Sequence, residues 1–107
     1  MEPQYIYRAA LDRVVDGDTY LLRLDLGFYA ALTIRVRLHG IDVFEHNTSE
    51  GQLAIRYVQE VFAHAPDKIL VQSYKDQRSF ERWVCDVWVD GTLLADMLRL
   101  RGFEKPR

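Results

Sequence analysis

The sequence predicts a mainly β protein with helices, an α+β chain built on a five-stranded barrel. Three observations carry this. Short segments alternate apolar and polar residues, as a half-buried strand requires. A single segment of three- and four-residue apolar spacing falls between the third and fourth of them. Strands and helices do not alternate regularly, which disfavours a parallel doubly wound sheet.

The elements follow in order. Tyr5, Tyr7, Ala9 and Leu11 recur at every second position, so Tyr5 to Val14 reads as the first strand. Asp16-Gly17-Asp18 interrupts it as a turn, because Asp and Gly favour tight turns for local backbone reasons. Tyr20 to Leu26 is the second strand. Leu32 to Leu38 is the third, with Leu32, Ile34, Val36 and Leu38 on one face and Thr33, Arg35 and Arg37 on the other. Gly40 to Gly51 is irregular and ends in a helix start, with Thr48 or Ser49 as N-cap. Gln52 to His64 places Leu53, Ala54, Tyr57, Val58, Val61 and Phe62 on one helical face, and Ala65-Pro66 stops it. Lys68 to Tyr74 and Trp83 to Val89 are the fourth and fifth strands, with Trp83 and Trp88 assigned to barrel packing. Thr92 to Arg101 is a short helix stopped by Gly102. The order β-β-β-α-β-β-α fits the partly open Greek-key barrel known as the OB-fold.

The bulk properties narrow the function. A chain of 107 residues is one domain, here 1-107, with 1-4 and 104-107 expected to fray. A net charge of -2 counts against a tight nucleic-acid coat protein, since phosphate contacts call for a positive excess. A catalyst needs only local positive charge. No apolar run approaches the roughly 20 residues of a membrane span, so no membrane partner is expected. The N-terminus has no signal-peptide pattern, which suggests an intracellular protein and leaves secretion of a processed form open. Cys85, the only cysteine, lies in a strand pattern and reads as a buried structural thiol. A monomer is expected.

Three clusters could carry chemistry. Asp16-Gly17-Asp18-Thr19 offers two carboxylates at a strand boundary, or simply a hairpin turn. Arg37 to Glu45 delivers an arginine from a strand and two acids, Asp42 and Glu45, from the loop after it. Hard cations take carboxylates, backbone carbonyls and water, so Asp18 and Asp42 could share one ion while Glu45 touches a water. In Phe80-Glu81-Arg82-Trp83 the arginine can stack on a ring or present its planar fork to a phosphate. Two acids for a cation, one for water and two arginines for a phosphate would suit phosphoryl transfer. The spacing does not establish that the clusters meet. Arg35, on the face of Arg37, can bind backbone phosphate or remain a surface charge. His39, His46 and His64 lack paired metal-ligand spacing and read as surface or structural residues.

The stretches Val14-Val-Asp-Gly-Asp-Thr19 and Arg37-Leu-His-Gly-Ile-Asp42, followed by Glu45, resemble the staphylococcal nuclease (thermonuclease) family. Phe80-Glu-Arg82 and Leu98-Arg-Leu-Arg-Gly102 are similar to later elements of that family, and the match covers roughly residues 8 to 104. The resemblance implies an OB barrel that cuts DNA and RNA and leaves 3′-phosphate ends. It implies one Ca²⁺ on Asp18, Asp42 and the backbone carbonyl of Val43, with Asp16 supporting the metal loop. Glu45 would activate water, and Arg37 and Arg82 would grip the phosphate. Thr19, Phe80 and Arg35 are the further candidate substrate contacts. This chain has Val43-Phe44 where the family carries Thr-Pro, Ser79 where a lysine is common, and no stacking tyrosines after the second helix. Weaker substrate grip is the expected consequence. The rival readings are a barrel that binds nucleic acid or protein without chemistry, and a domain whose acids are structural or bind calcium alone.

Overall fold

The computed structural model describes residues 4–74 and 83–106. Its strands are β1 (Ile6–Asp16), β2 (Thr19–Gly27), β3 (Ala30–Leu38), β4 (Ile69–Ser73), β5 (Trp83–Val89) and the two-residue β6 (Thr92–Leu93). Helix α1 (Ser49–His64) lies between β3 and β4, and α2 (Leu94–Leu100) follows β6. The sheet order is β3-β2-β1-β4-β5-β6, and β3 also pairs in parallel with β5. That last pairing closes five strands into an OB-like barrel, which removes the open edges of the sheet.

Closure depends on β1. Its residues Ala9 to Asp16 pair with β2, and Ile6 to Ala9 pair with β4. Register shifts between Leu11 and Arg13 and between Val14 and Asp16 bend the strand so that it serves both neighbours. Strand alternation then turns Tyr20, Leu22, Leu24, Val36, Leu38, Ile69, Val71, Cys85, Val87 and Val89 inward. Ala54, Val58 and Phe62 of α1 and Leu94, Ala95 and Leu98 of α2 complete this core. Phe62 meets Tyr20 edge to face at 5.2 Å, the geometry favoured by ring quadrupoles.

The helix ends have local causes. The Thr48 hydroxyl accepts the Gly51 N–H at 3.0 Å, so of the two candidate caps Thr48 is the N-cap, and α1 begins at Ser49, three residues before the apolar periodicity sets in at Gln52. The chain leaves α2 through Gly102, and the Phe103 N–H donates back to Leu98 at 3.0 Å. The short second helix was expected from Thr92; β6 occupies its first two positions.

Three expectations change. Leu32, placed on the buried face of β3, is 53% exposed, because the far end of the β2–β3 ribbon runs past the core; Leu26 is also exposed there. Trp83, assigned to barrel packing, is 40% exposed at the start of β5. Of the C-terminal residues expected to fray, Glu104 bridges Val43, and the Lys105 N–H donates to the Asp42 carbonyl at 2.7 Å. Among the described residues no helix is long and apolar enough to cross a membrane.

A polar clip joins the residues that follow β3 and β4 to the middle of β5. The Tyr74 hydroxyl donates to Asp86 at 2.7 Å and lies 3.0 Å from Nδ1 of His39. Tyr74 has one proton, so His39 Nδ1 is the donor in the second contact. Burial, followed by the Asp86 bond, pushes the phenol up to about 12. A raised acid binds more protons folded than unfolded, so its stabilisation is full below the free tyrosine value of about 10 and vanishes as pH climbs through the folded value. Denaturation midpoints measured from neutral pH to about 12 are therefore expected to fall over the last two units. Tyr74→Phe is expected to flatten that fall while lowering the neutral-pH midpoint.

Candidate functional site

The site forms at one end of the barrel, where β1 turns into β2 and the loop after β3 crosses it. Asp16 pairs with Thr19 across the turn, and Thr19 pairs with Arg37 on β3, so the register alone brings the acidic turn beside the arginine. The Leu38 N–H donates to the Asp18 carbonyl at 2.9 Å and extends that pairing into the turn. Below it, the buried Tyr20 hydroxyl donates to the Gly17 carbonyl and anchors the turn on the core. Burial, with the nearby Asp18 charge second, holds that phenol well above its usual range. Gly17 is required by close approach: a Cβ there would lie 2.6 Å from Val43 Cγ1.

The loop after β3 is pinned by Ile41 and Val43, each 3% exposed, which leaves Asp42 between them facing outward. Asp18 is 7% exposed. One carboxylate oxygen accepts the Thr19 hydroxyl at 3.1 Å, the other accepts the Val43 N–H at 3.0 Å, and Nη1 of Arg37 lies 3.5 Å from the latter. Nη2 of Arg37 pairs with Asp42. The two aspartates therefore meet on opposite nitrogens of one guanidinium. Nη1 also donates to the carbonyls of Leu38 at 2.9 Å and Ile41 at 2.8 Å. Arg37 thus holds the loop in shape as well as balancing its charge.

Glu45 and Asp16 flank this centre. Lys105 Nζ lies 3.5 Å from the exposed Glu45 carboxylate, while the Lys105 backbone holds Asp42. Asp16 accepts the backbone N–H of His46 at 2.8 Å and meets its Nδ1 at 2.9 Å. The Glu45 carbonyl accepts from the Thr48 N–H and hydroxyl, so the helix cap also fixes the loop. A groove of about 520 Å³ opens beside Arg37, Asp42, Glu104 and Lys105. Neither a protein-family model nor a curated protein matches the chain.

The sequence-predicted residues divide accordingly. Asp18, Asp42 and Arg37 are brought together; Glu45 joins them through Lys105, and Asp16 through the loop it braces. Thr19, a candidate substrate contact, is 5% exposed with its hydroxyl turned to Asp18. Val43 meets Asp18 through its N–H. Arg35 is exposed two residues up β3 from Arg37, outside the cluster. Phe80 and Arg82 lie outside the described residues. Among the described residues no three His, Cys, Asp or Glu side chains gather as a metal group. The expected set has only two such side chains, and all its donors are oxygens, as a hard cation requires. Among the described residues, Asp18 and Asp42 pair with Arg37, Glu45 with Lys105 and Asp16 with His46, so carboxylates outnumber the arginine and lysine paired with them, a balance that suits a divalent ion. Lys105 and His46 escaped the sequence reading: neither sits in a pattern with the acid it holds.

Proposed function

We propose that the chain is a Ca²⁺-dependent nuclease of the thermonuclease type, hydrolysing phosphodiesters of DNA and/or RNA to leave 3′-phosphate ends. The observation that carries this reading is the meeting of Asp18 and Asp42 on the Arg37 guanidinium, with Glu45 beside them on the same loop. Asp18 and Asp42 would hold the cation together with the Val43 carbonyl. A bound Ca²⁺ supplies charge neutralisation at the phosphate oxygens. The protein's own groups do the rest. The Glu45 carboxylate accepts a proton from water as that water's oxygen bonds to phosphorus; the bond to the 5′-oxygen breaks, and that oxygen leaves with the bonding pair and takes up a proton from solvent water. Lys105 orients the Glu45 side chain. Arg37 neutralises equatorial oxygen charge, and Arg82 enters this scheme on the sequence resemblance alone.

The test is cleavage of single-stranded DNA and of RNA with added Ca²⁺. Glu45→Ala is expected to lower turnover by about 10²- to 10⁴-fold, the usual contribution of a general base. Excess EDTA is expected to abolish cleavage. Undiminished cleavage in EDTA, or folded protein that retards substrate in a gel without cutting it, would overturn the reading.

A further inference from the structure

The β2–β3 ribbon carries residues that folding does not explain. Phe28 and Tyr29 form its two-residue turn, with φ of 54° and 61°, and they are 102% and 109% exposed. Turns of this hand favour Asn-Gly, because a side chain at positive φ crowds its own backbone. Two aromatics there strain the turn and bury nothing in return.

The outer face of the same ribbon is basic. Cross-strand pairing sets Arg13, Leu21 and Arg35 in one row, and Arg23 and Thr33 in the next row toward the tip. Arg13, Arg23 and Arg35 are exposed. A groove of about 760 Å³ passes the tip, lined in part by Arg8, Arg23, Phe28 and Tyr29. Two acids, Asp25 and Asp67, also line it, and the Asp25 carboxylate is engaged by the Gly27 N–H at 2.9 Å. Arg35 and Arg37 alternate on β3, so the basic face runs directly into the candidate site.

We infer that this ribbon is a single-stranded nucleic-acid track, with arginines along the backbone and Phe28 and Tyr29 as a stacking platform at its far end. Flexible chains with both phosphates and flat apolar bases match a surface of guanidinium forks ending in two rings. From Arg37 to the turn is about 24 Å at a strand rise of about 3.4 Å per residue. Stacked nucleotides at about 3.4 Å each cover that distance with roughly seven residues. The inference rests on the proposed nuclease reading for its direction from the site, but the binding itself needs no turnover.

The experiment therefore measures fluorescence anisotropy of labelled single-stranded oligonucleotides of about ten nucleotides in EDTA. The double variant Phe28→Asn/Tyr29→Gly is expected to bind them at least about tenfold more weakly, with smaller losses for a dinucleotide. Its melting temperature is expected to equal or exceed the wild type's, since the new residues suit the turn. Arg23→Gln/Arg35→Gln, a change that leaves the turn alone, is expected to flatten the salt dependence of log affinity by about 0.7 for each phosphate that is no longer neutralised. Wild-type affinity and salt slope in both folded variants would overturn the track. So would a tip variant whose only deficit is binding to anionic vesicles or self-association. Loss of cleavage in every protein, with these binding differences intact, would overturn the nuclease reading and leave the track standing.

Discussion

Gly51→Ala is expected to lower the melting temperature by roughly 10 to 20 °C and to remove most of the proposed nuclease activity. The reason is a backbone collision. A Cβ at Gly51 would lie 1.7 Å from the Glu45 carbonyl oxygen and 2.8 Å from that of Phe44. No side-chain rotation relieves such a contact, so either the first turn of α1 or the loop carrying Glu45 must move. Overpacking of this kind costs about 3 kcal/mol or more when backbone has to shift. Both ways of moving disturb the site, because the displaced carbonyl is the acceptor for the Thr48 cap and its own residue carries the proposed base. Thermal unfolding followed by circular dichroism reads the first effect. Glu50→Ala, an exposed neighbour, serves as the control and is expected to move stability by no more than about 0.5 kcal/mol. An alanine variant that melts with the wild type would mean that the loop does not pack on the helix start as described.

That glycine also marks where sequence reading stops. Strand alternation disclosed the barrel because one face of each strand must be apolar, and the bounds of β5 were read from pattern alone. Periodicity reports which side a residue faces, not whether core lies beneath it. Leu32 continues the alternation of Val36 and Leu38 and is nonetheless exposed, since the ribbon outruns the barrel. The first turn of α1 is polar, so its start is set by the Thr48 cap and gives no apolar signal. At the site, Asp18, Asp42, Arg37 and Glu45 were legible as residue types at strand ends. Their convergence comes from the β2–β3 register and the burial of Ile41 and Val43, which are tertiary facts. The bonds from Arg37 to the Leu38 and Ile41 carbonyls were invisible, and they give that residue a structural role besides its proposed chemical one. The grip of Lys105 on Glu45 and of His46 on Asp16 depends on how a terminal segment and a loop return to the barrel end.

Two substitutions at Asp18 are expected to separate folding from cation binding. Asp18→Ala deletes the acceptor of the buried Val43 N–H and the partner of the Thr19 hydroxyl, and leaves Arg37 with one fewer carboxylate. An orphaned buried donor costs about 1–3 kcal/mol, and loss of one member of a largely buried charge pair adds to that. A loss of about 3 kcal/mol in urea unfolding is therefore expected. Asp18→Asn keeps the shape: its carbonyl oxygen can accept the Val43 N–H, and its amide can donate to a rotated Thr19 hydroxyl. The neutral hydrogen bonds survive, so most of the stability should survive with them. What asparagine removes is the negative charge, half of the carboxylate pair assigned to the ion. In the wild type, Ca²⁺ at about 100 times its dissociation constant is expected to stabilise the fold by about 2.7 kcal/mol, because the proposed site is assembled only in the folded state. In Asp18→Asn the same concentration is expected to give little or none of that rise, and cleavage should fall with it. If Ca²⁺ stabilised both proteins equally, the ion would have to sit elsewhere, and the buried carboxylate of Asp18 would be needed only to hold the Val43 loop and the Arg37 guanidinium in place.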